Sequence, residues 1–162
     1  NNILGKRGED SISNVLSESL DDRYTYIRNY KMSFWGDIDG ILVGPSGVTI
    51  LEVKYYSPKS FEILNGVFYR VDKNKFKRIG RKPFWQIDQQ KRYLVRVFNE
   101  QNINQPYIRT LIVLAHGHLI KIFGKTHTYV VEKDKLLEQL GRDINDRFSK
   151  EYVERVVSIL NK

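Results

Sequence analysis

The stretch GDIDGILVGPSGVTILEVKYY, residues 36–56, decides the fold because it predicts a β-hairpin whose register can be derived. Two apolar runs flank the turn sequence at residues 44–47. A two-residue loop at Pro45 and Ser46 and a four-residue loop over residues 44–47 both pair residues whose numbers sum to 91. A loop that is asymmetric by one residue would break this register.

The register predicts two carboxylates directly opposite each other, because Asp39 then faces Glu52 across the hairpin. Asp37 likewise faces Lys54, and the alternation of side chains puts all four residues on one face. Two facing carboxylates repel, which destabilises the sheet or forces one acid to keep its proton. A divalent cation such as Mg²⁺ removes this conflict, since it takes carboxylate, water and phosphate oxygens as ligands.

Lys54 lies two residues beyond Glu52 and therefore on the same side of the strand. Its ammonium can stabilise charge on a phosphate or orient a water molecule. The carboxylates and the lysine together supply what phosphodiester hydrolysis needs, namely metal ligands, an electrophile and a source of the nucleophile. The competing interpretation is an exposed polar face with an ion pair between Lys54 and Asp37, which contributes little stability.

The remaining sequence predicts a mixed β-sheet flanked by α-helices, an α/β fold. Helical periodicity and capping residues, with Pro83 at position N1 and Ser149 as an N-cap, predict helices over residues 5–20, 84–98, 133–140 and 149–160. Apolar or alternating segments predict further strands at residues 24–32, 107–115, 120–123 and 128–132, and residues 61–71 predict a strand or a hairpin with Asn65-Gly66 as its turn. We expect residues 1–162 to form one domain, and Asn1 in place of Met leaves open that the chain is part of a longer one.

The positive charge is confined to one segment. The net charge is +8, and residues 70–96 hold ten Lys or Arg against two acids, 10 − 2 = +8, so the remainder is neutral. Aromatic side chains are interleaved with these cations, which favours nucleic acid as the partner over a solvated loop. The residues expected to contact DNA are Lys73, Lys75, Lys77, Arg78, Arg81, Lys82, Gln89, Lys91, Arg92 and Tyr93.

Several short motifs in the right order resemble the PD-(D/E)xK nuclease superfamily and, more closely, its nuclease-related domain (NERD) family. They are Gly8-Glu9, Ile38-Asp39, Gly47-Val48, Glu52-Val53-Lys54 and Pro83-Phe84-Trp85-Gln86. The spacing Gln89-x-x-x-Tyr93 also resembles a motif of RecB-type nucleases, and whether Gln86 or Gln89 reaches the site is left open. The match spans residues 8–93, about the first half of the chain.

The resemblance implies a restriction-endonuclease-like fold and DNA cleavage that depends on Mg²⁺ or Mn²⁺. It implies a site made of Glu9, Asp39, Glu52, Lys54 and Gln86, with Asp39, Glu52, Glu9 and Val53 as metal ligands. The chain departs from the family pattern at Gly40, where His is frequent, at Tyr55-Tyr56, where Asn-Tyr is frequent, and at Lys82, where Asn is frequent. None of these departures touches the implied metal ligands.

Other sequence features bound the function. His116 and His118 form an H-x-H motif with His127 nearby, but no second ligand cluster accompanies them, so polar residues at a strand end are the better interpretation than zinc. The absence of cysteine excludes disulfides and thiolate metal sites and fits a cytoplasmic protein. The sequence has no membrane-spanning or signal segment, although an anchor on flanking sequence is left open.

The expected function is that of a metal-dependent deoxyribonuclease with little sequence specificity, because no base-reading motif is present. Endonuclease or exonuclease action, the strand form of the substrate and the oligomeric state are not readable from the residues. No small-molecule cofactor is expected. The rivals are a module that binds nucleic acid without cutting it, and an interaction domain whose basic segment binds an acidic protein or an anionic membrane.

Overall fold

The computed structural model describes residues 2–34, 36–104, 106–142 and 146–162. In chain order the elements are α1 (Asn2–Ser19), β1 (Thr25–Lys31), β2 (Asp37–Gly44), β3 (Gly47–Leu64), β4 (Val67–Asp72), β5 (Lys75–Gly80), α2 (Lys82–Glu100), β6 (Ile108–Phe123), β7 (Tyr129–Glu132), a 3₁₀ turn (Lys133–Lys135), α3 (Leu136–Gly141) and α4 (Lys150–Leu160). The described strands form one seven-stranded sheet with parallel and antiparallel pairs. The predicted fold class, a mixed sheet flanked by helices, is confirmed.

The long strand β3 pairs with three other strands, one along one edge and two along the other. Along one edge it pairs with β6 in parallel, from Val48 opposite Ile108 to Leu64 opposite Phe123, and β6 continues to β7. Along its other edge the first residues pair with β2 and the last residues, from Ser60 onward, pair with β4. No described strand pairs with residues 52–59 along that second edge, so the sheet opens there.

The two faces of the sheet are covered by different helices. Leu51 and Val53 pack in the apolar cluster that includes α1 and α3, whereas Ile50 packs in the cluster that includes α2 and α4. Because strand side chains alternate between faces, Glu52 and Lys54 lie on the α2 side. The packing of the apolar residues of β3 on both faces thus places its polar residues Glu52 and Lys54 against α2.

Most predicted elements are confirmed, with changes at their ends. The turn at Asn65 and Gly66 joins β3 to β4, and both residues have the positive φ, 48° and 75°, that a two-residue hairpin turn requires. The predicted short strand at residues 120–123 is the end of β6. Helix α2 begins at Lys82, two residues before the predicted range 84–98, so Pro83 stands at N2 rather than at N1. Ser149 caps α4 by accepting the Tyr152 N–H at 3.2 Å, as predicted.

Strand β5 was not predicted, because its sequence KFKRIG carries cations instead of the apolar alternation of a half-buried strand. It lies at the edge of the sheet, where charged residues are common because they discourage pairing with other chains. Within the described part of the chain, no helix combines the length and the apolar character needed to cross a membrane.

Candidate active site

The register of the β2–β3 hairpin is the predicted one. Five pairs, from Gly40 with Leu51 to Gly44 with Gly47, have numbers that sum to 91. Pairing stops after Gly40, so Asp39 is the residue at which β2 leaves β3. The two strands therefore diverge where the carboxylates begin.

Asp39 is also unpaired on its other side. Strand β1 pairs with β2 at Arg28 with Gly40 and at Tyr30 with Ile38, but the intervening Asn29 has a φ of 50° and makes no pair. The β1–β2 and β2–β3 ladders are therefore both interrupted at Asp39. In place of a main-chain carbonyl of β2, the Asp39 carboxylate accepts a hydrogen bond from β3. Oδ2 of Asp39 accepts the N–H of Val53 at 2.8 Å.

Burial and nearby acids raise the pKa values of Asp39 and Glu9. Burial raises the pKa of Asp39 to about 7, and the Glu52 carboxylate adds to this effect. The N–H of Val53 and the Lys54 ammonium act in the opposite direction. Burial also raises the pKa of Glu9, and the Glu52 carboxylate again contributes. The predicted repulsion between Asp39 and Glu52 is therefore present, with Glu9 within its range.

Glu9 reaches this region because α1 packs closely on the sheet. Its neighbour Gly8 is buried, and a Cβ there would lie 3.2 Å from the Tyr55 Cβ and 3.3 Å from the Ala115 Cβ. Any larger residue at this position would push the helix away from β3 and β6. The Gly8-Glu9 motif thus combines a packing requirement with a carboxylate next to it.

Glu52 is held by a network of side chains from β3 and α2. The side chain of Glu52 is only 5% exposed, and its Oε1 accepts from Lys54 Nζ at 2.7 Å. Lys54 Nζ also donates to Oε1 of Gln86 at 3.0 Å. Gln90 Nε2 donates to Oε2 of Glu52 at 2.7 Å. Both oxygens of Glu52 are therefore engaged, and Lys54 links the strand to the helix.

Gln90 was missed as a site residue in the sequence, although it lies one helical turn after Gln86 and in the same polar stripe. It is 3% exposed, and its Oε1 is buried without a hydrogen-bond partner. A carboxylate accepts hydrogen bonds, so the amide group of Gln90 must face Glu52, and its oxygen is left over. An orphaned buried acceptor beside two acids marks a place for a donor that the described side chains do not supply.

The structure also answers which glutamine approaches Lys54. Gln86 contacts Lys54, whereas Gln89 lines a surface hollow with Arg92, Tyr93 and Arg96. The ion pair between Lys54 and Asp37 that the competing interpretation required is not formed, and the predicted facing of these two residues is wrong. The β2–β3 ladder ends before it reaches them, and Asp37 instead binds Lys31 of β1 at 2.6 Å.

Gly40 is required by a tyrosine from β1. A Cβ on Gly40 would collide with the ring and hydroxyl of Tyr26, so the tyrosine fills the space beside the motif Asp39. Burial raises the pKa of Tyr26, and the Asp39 carboxylate adds to the shift. Where the family often has a histidine, this chain therefore has Gly40 with the Tyr26 hydroxyl packed against it, within the electrostatic range of the Asp39 carboxylate.

The basic residues expected at a DNA surface are exposed, but they do not all lie together. The exposed ones are Lys73, Lys75, Lys77, Arg78, Arg81, Lys82, Lys91 and Arg92. Tyr93 is partly buried, and its hydroxyl is 3.1 Å from the Ser33 hydroxyl. Lys91 lines a different hollow, with Arg109 and His127, and so lies apart from Arg92.

The histidines are used elsewhere. His116 stacks on Tyr55 with ring centroids 5.1 Å apart, and His118 Nδ1 lies 3.1 Å from Oε1 of Glu132. In the ranges that the structure describes, no group of three or more His, Cys, Asp or Glu is close enough to hold a metal ion together. Any metal near β3 would therefore depend on two carboxylates plus other oxygens.

Comparison with known proteins identifies the family. A sequence profile described as the nuclease-related domain, NERD, matches residues 4–115. None of the curated proteins that were compared matches the chain. The chain is similar to the crystal structure of a repair endonuclease from Pyrococcus abyssi, with 18% sequence identity and a TM-score of 0.35 over 82% of this chain and 43% of that one. It thus spans less than half of that protein, and so distant a likeness says nothing about activity. Because the profile covers 112 of 162 residues, the chain belongs to the nuclease-related domain (NERD) family.

Proposed function

We propose that residues 1–162 form one nuclease domain, which hydrolyses the phosphodiester backbone of DNA with the help of Mg²⁺ or Mn²⁺. The observation that carries this proposal is the placement of Asp39, Glu52 and Lys54 where β2 leaves β3. The Glu52 carboxylate adds to the raised pKa of Asp39, and the Lys54 ammonium lies against Glu52.

The residues fit a hard divalent cation. Carboxylate oxygens are the preferred ligands of Mg²⁺, which commonly uses one or two carboxylates and completes its shell with water and substrate phosphate. Glu52 uses one hydrogen bond on each oxygen, and a carboxylate has about four lone-pair sites, so it retains capacity for a metal. Asp39 and Glu52 would hold the ion, the main-chain carbonyl of Val53 is a further candidate ligand, and Glu9 would reach the ion only through a water molecule, since the described acids form no group of three.

Each side chain then has a distinct role. A bound divalent cation supplies a water of lowered pKa and positive charge beside the phosphate. Lys54 donates to a non-bridging phosphate oxygen, where charge increases during hydrolysis. Gln86 orients the Lys54 ammonium, and Gln90 fixes the Glu52 carboxylate. The orphaned Oε1 of Gln90 can accept a hydrogen bond from a water molecule in the opening.

The β4–β5 hairpin and α2 provide the phosphate-binding surface. Arg70 lies directly opposite Lys77 across the two strands, and the Arg70 Nε is buried without a partner. Facing like charges destabilise a sheet, so this arrangement fits a surface that is completed by a polyanion. Contacts of this kind to the backbone carry no sequence information, which supports low sequence specificity.

A non-catalytic nucleic-acid-binding module is the second candidate. The direct bond from Lys54 to Glu52 favours it, because a lysine neutralises the buried acid without a metal. The two candidates therefore differ in whether Lys54 releases Glu52 when a divalent cation is present.

A cleavage assay separates them. Plasmid and linear DNA are incubated with Mg²⁺, Mn²⁺ or EDTA and with wild type, Asp39→Ala, Glu52→Ala and the exposed-acid control Asp134→Ala. We expect cleavage in either metal that EDTA and both site substitutions abolish and Asp134→Ala preserves. Cleavage that persists in EDTA or in Glu52→Ala contradicts the mechanism, and binding without cleavage in either metal supports the second candidate.

A further inference from the structure

We propose that the exposed flank of α2 binds a single-stranded segment of DNA, with Trp85 stacked on an unpaired base and with Arg92 and Arg96 on the neighbouring phosphates. This inference rests on the proposed function and names the form of its substrate. The flank is defined here as Trp85, Gln89, Arg92 and Arg96.

The spacing of these residues places them on one side of the helix. They are separated by four, three and four residues, the spacing of side chains that lie above one another on a helix. With a rise of about 1.5 Å per residue, the flank runs for roughly 16 Å. Gln89, Arg92 and Arg96, together with Tyr93, line a surface hollow of about 270 Å³.

The flank borders the candidate active site directly. Gln86 and Gln90 stand on the adjacent side of α2, where they reach Lys54 and Glu52. Trp85 directly precedes Gln86 in the chain, so the flank begins one residue before the side chain that contacts Lys54. We therefore expect a strand that follows the flank to pass close to Lys54.

An exposed indole among cations is the feature that selects an unpaired strand. Trp85 is 52% exposed, although large apolar side chains on a polar helix surface normally gain by burial. Every base offers a flat face to an aromatic ring, but in a duplex that face is covered by the neighbouring pairs. A base that stacks on Trp85 must therefore be unpaired or at an end.

The arginines of the flank are available for phosphates. Within the described part of the chain, Arg92 and Arg96 form no ion pair, and Arg96 lies over the Tyr93 ring at 5.5 Å. Asp88, one helical turn from both Trp85 and Arg92, is exposed and also forms no ion pair there. Arginine binds phosphate in a bidentate manner, so the two guanidinium groups fit successive phosphates of one strand.

The test measures binding without cleavage. Fluorescence anisotropy with a labelled oligonucleotide, single-stranded or annealed to its complement, is recorded in EDTA and in Ca²⁺. The variants are Trp85→Ala, Trp85→Phe, the double variant Arg92→Ala/Arg96→Ala and Asp88→Asn. The matched controls are Tyr129→Ala, which removes an aromatic residue of β7 that is 63% exposed, and Lys125→Ala. Thermal melting confirms that each variant folds.

We expect the single strand to bind more tightly than the duplex, and Trp85→Ala to weaken single-strand binding roughly ten-fold, which is the usual loss of one base stack. Trp85→Phe should restore part of this loss, Asp88→Asn should strengthen binding, and both controls should behave as wild type. Preference for the duplex, an equal effect of Trp85→Ala on both forms, or no binding of either form overturns the proposal. If the protein cleaves DNA with Mg²⁺ but Trp85→Ala binds DNA as wild type does, the nuclease function stands and the single-strand proposal fails. If binding depends on Trp85 but no cleavage occurs, the nuclease function fails and the single-strand proposal stands.

Discussion

The β2–β3 hairpin and the β4–β5 hairpin lie on either side of the opening and differ in how their polar residues are held. The β2–β3 hairpin has a buried, apolar register that ends at Asp39, and its polar side chains bond to one another. The β4–β5 hairpin turns at Lys73 and Asn74 and exposes nearly all of β5 to solvent. Under the proposed function, the groups that would act on a phosphate are held by the core, whereas the groups that would attract it are exposed to solvent.

This difference predicts how substitutions in each hairpin should act. Changes in the β2–β3 hairpin should lower the rate of the chemical step, while changes in the β4–β5 hairpin should weaken DNA binding and its dependence on salt. The four predictions below test that division, in order of decreasing effect.

Lys54→Ala should produce the largest change that leaves the acids intact. Removing one preorganised donor to a reacting group typically costs about 10²–10³-fold in rate. Single-turnover cleavage at saturating enzyme measures this step without interference from binding. A Lys77→Ala variant, taken from the other hairpin, should retain the wild-type rate at saturation, and a comparable loss there would break the division.

Gln90→Ala should reduce Mn²⁺ affinity, since Gln90 positions Glu52 through the 2.7 Å hydrogen bond. Groups that orient a metal ligand typically contribute about 10–100-fold in affinity or activity. Isothermal titration with Mn²⁺ gives the change, and Gln89→Ala is the matched control because that residue points to the surface hollow instead. Unchanged Mn²⁺ affinity in Gln90→Ala would show that the residue serves only folding.

Lys75→Ala/Lys77→Ala in β5 should lower the salt dependence of DNA binding. Each lost phosphate contact should reduce the slope of log K against log salt by roughly 0.7 for a single strand. Binding titrations at several salt concentrations measure the slope, with Lys125→Ala as the control. A slope equal to that of wild type would mean that β5 does not touch the phosphates.

The raised pKa of Asp39, about 7, predicts a pH effect on the metal-free protein. The native state keeps a proton that the unfolded chain releases near pH 4, so stability should fall as pH rises from about 4 to 7. Asp39→Asn should remove this loss and raise the Tm at pH 8, by about 2–4 °C for each kcal/mol relieved. Thermal melts of both proteins in EDTA at pH 5 and pH 8 check it, and a Tm of wild type that does not change between the two contradicts the shift.

Much of the site could be predicted because a hairpin register follows from its turn. The sum of 91 was available as soon as Pro45 and Ser46 were taken as the loop, and the five observed pairs agree with it. The sequence could not show that the ladder would stop at Gly40. Beside that point, Asn29 leaves the β1–β2 ladder and the Tyr26 ring packs against Gly40, and both arrangements involve a different strand.

The errors have physical causes of the same kind. Lys54 was predicted to face Asp37 across the hairpin, but it binds Glu52, because a buried carboxylate gains more from the ammonium than an exposed one does. Gln90 was overlooked because a buried glutamine in a helix is recognisable only when its partner on the sheet is known. The β5 strand was not predicted because its sequence lacks the alternation of apolar and polar residues, which an exposed edge strand does not need.

A crystal structure of the protein soaked with Mn²⁺, with anomalous density recorded, tests whether Asp39 and Glu52 hold a divalent cation. We expect a peak between the two carboxylates, with Lys54 Nζ moved away from Glu52 Oε1 toward the substrate side. A structure with no Mn²⁺ at these carboxylates and with the bond between Lys54 and Glu52 retained would contradict it.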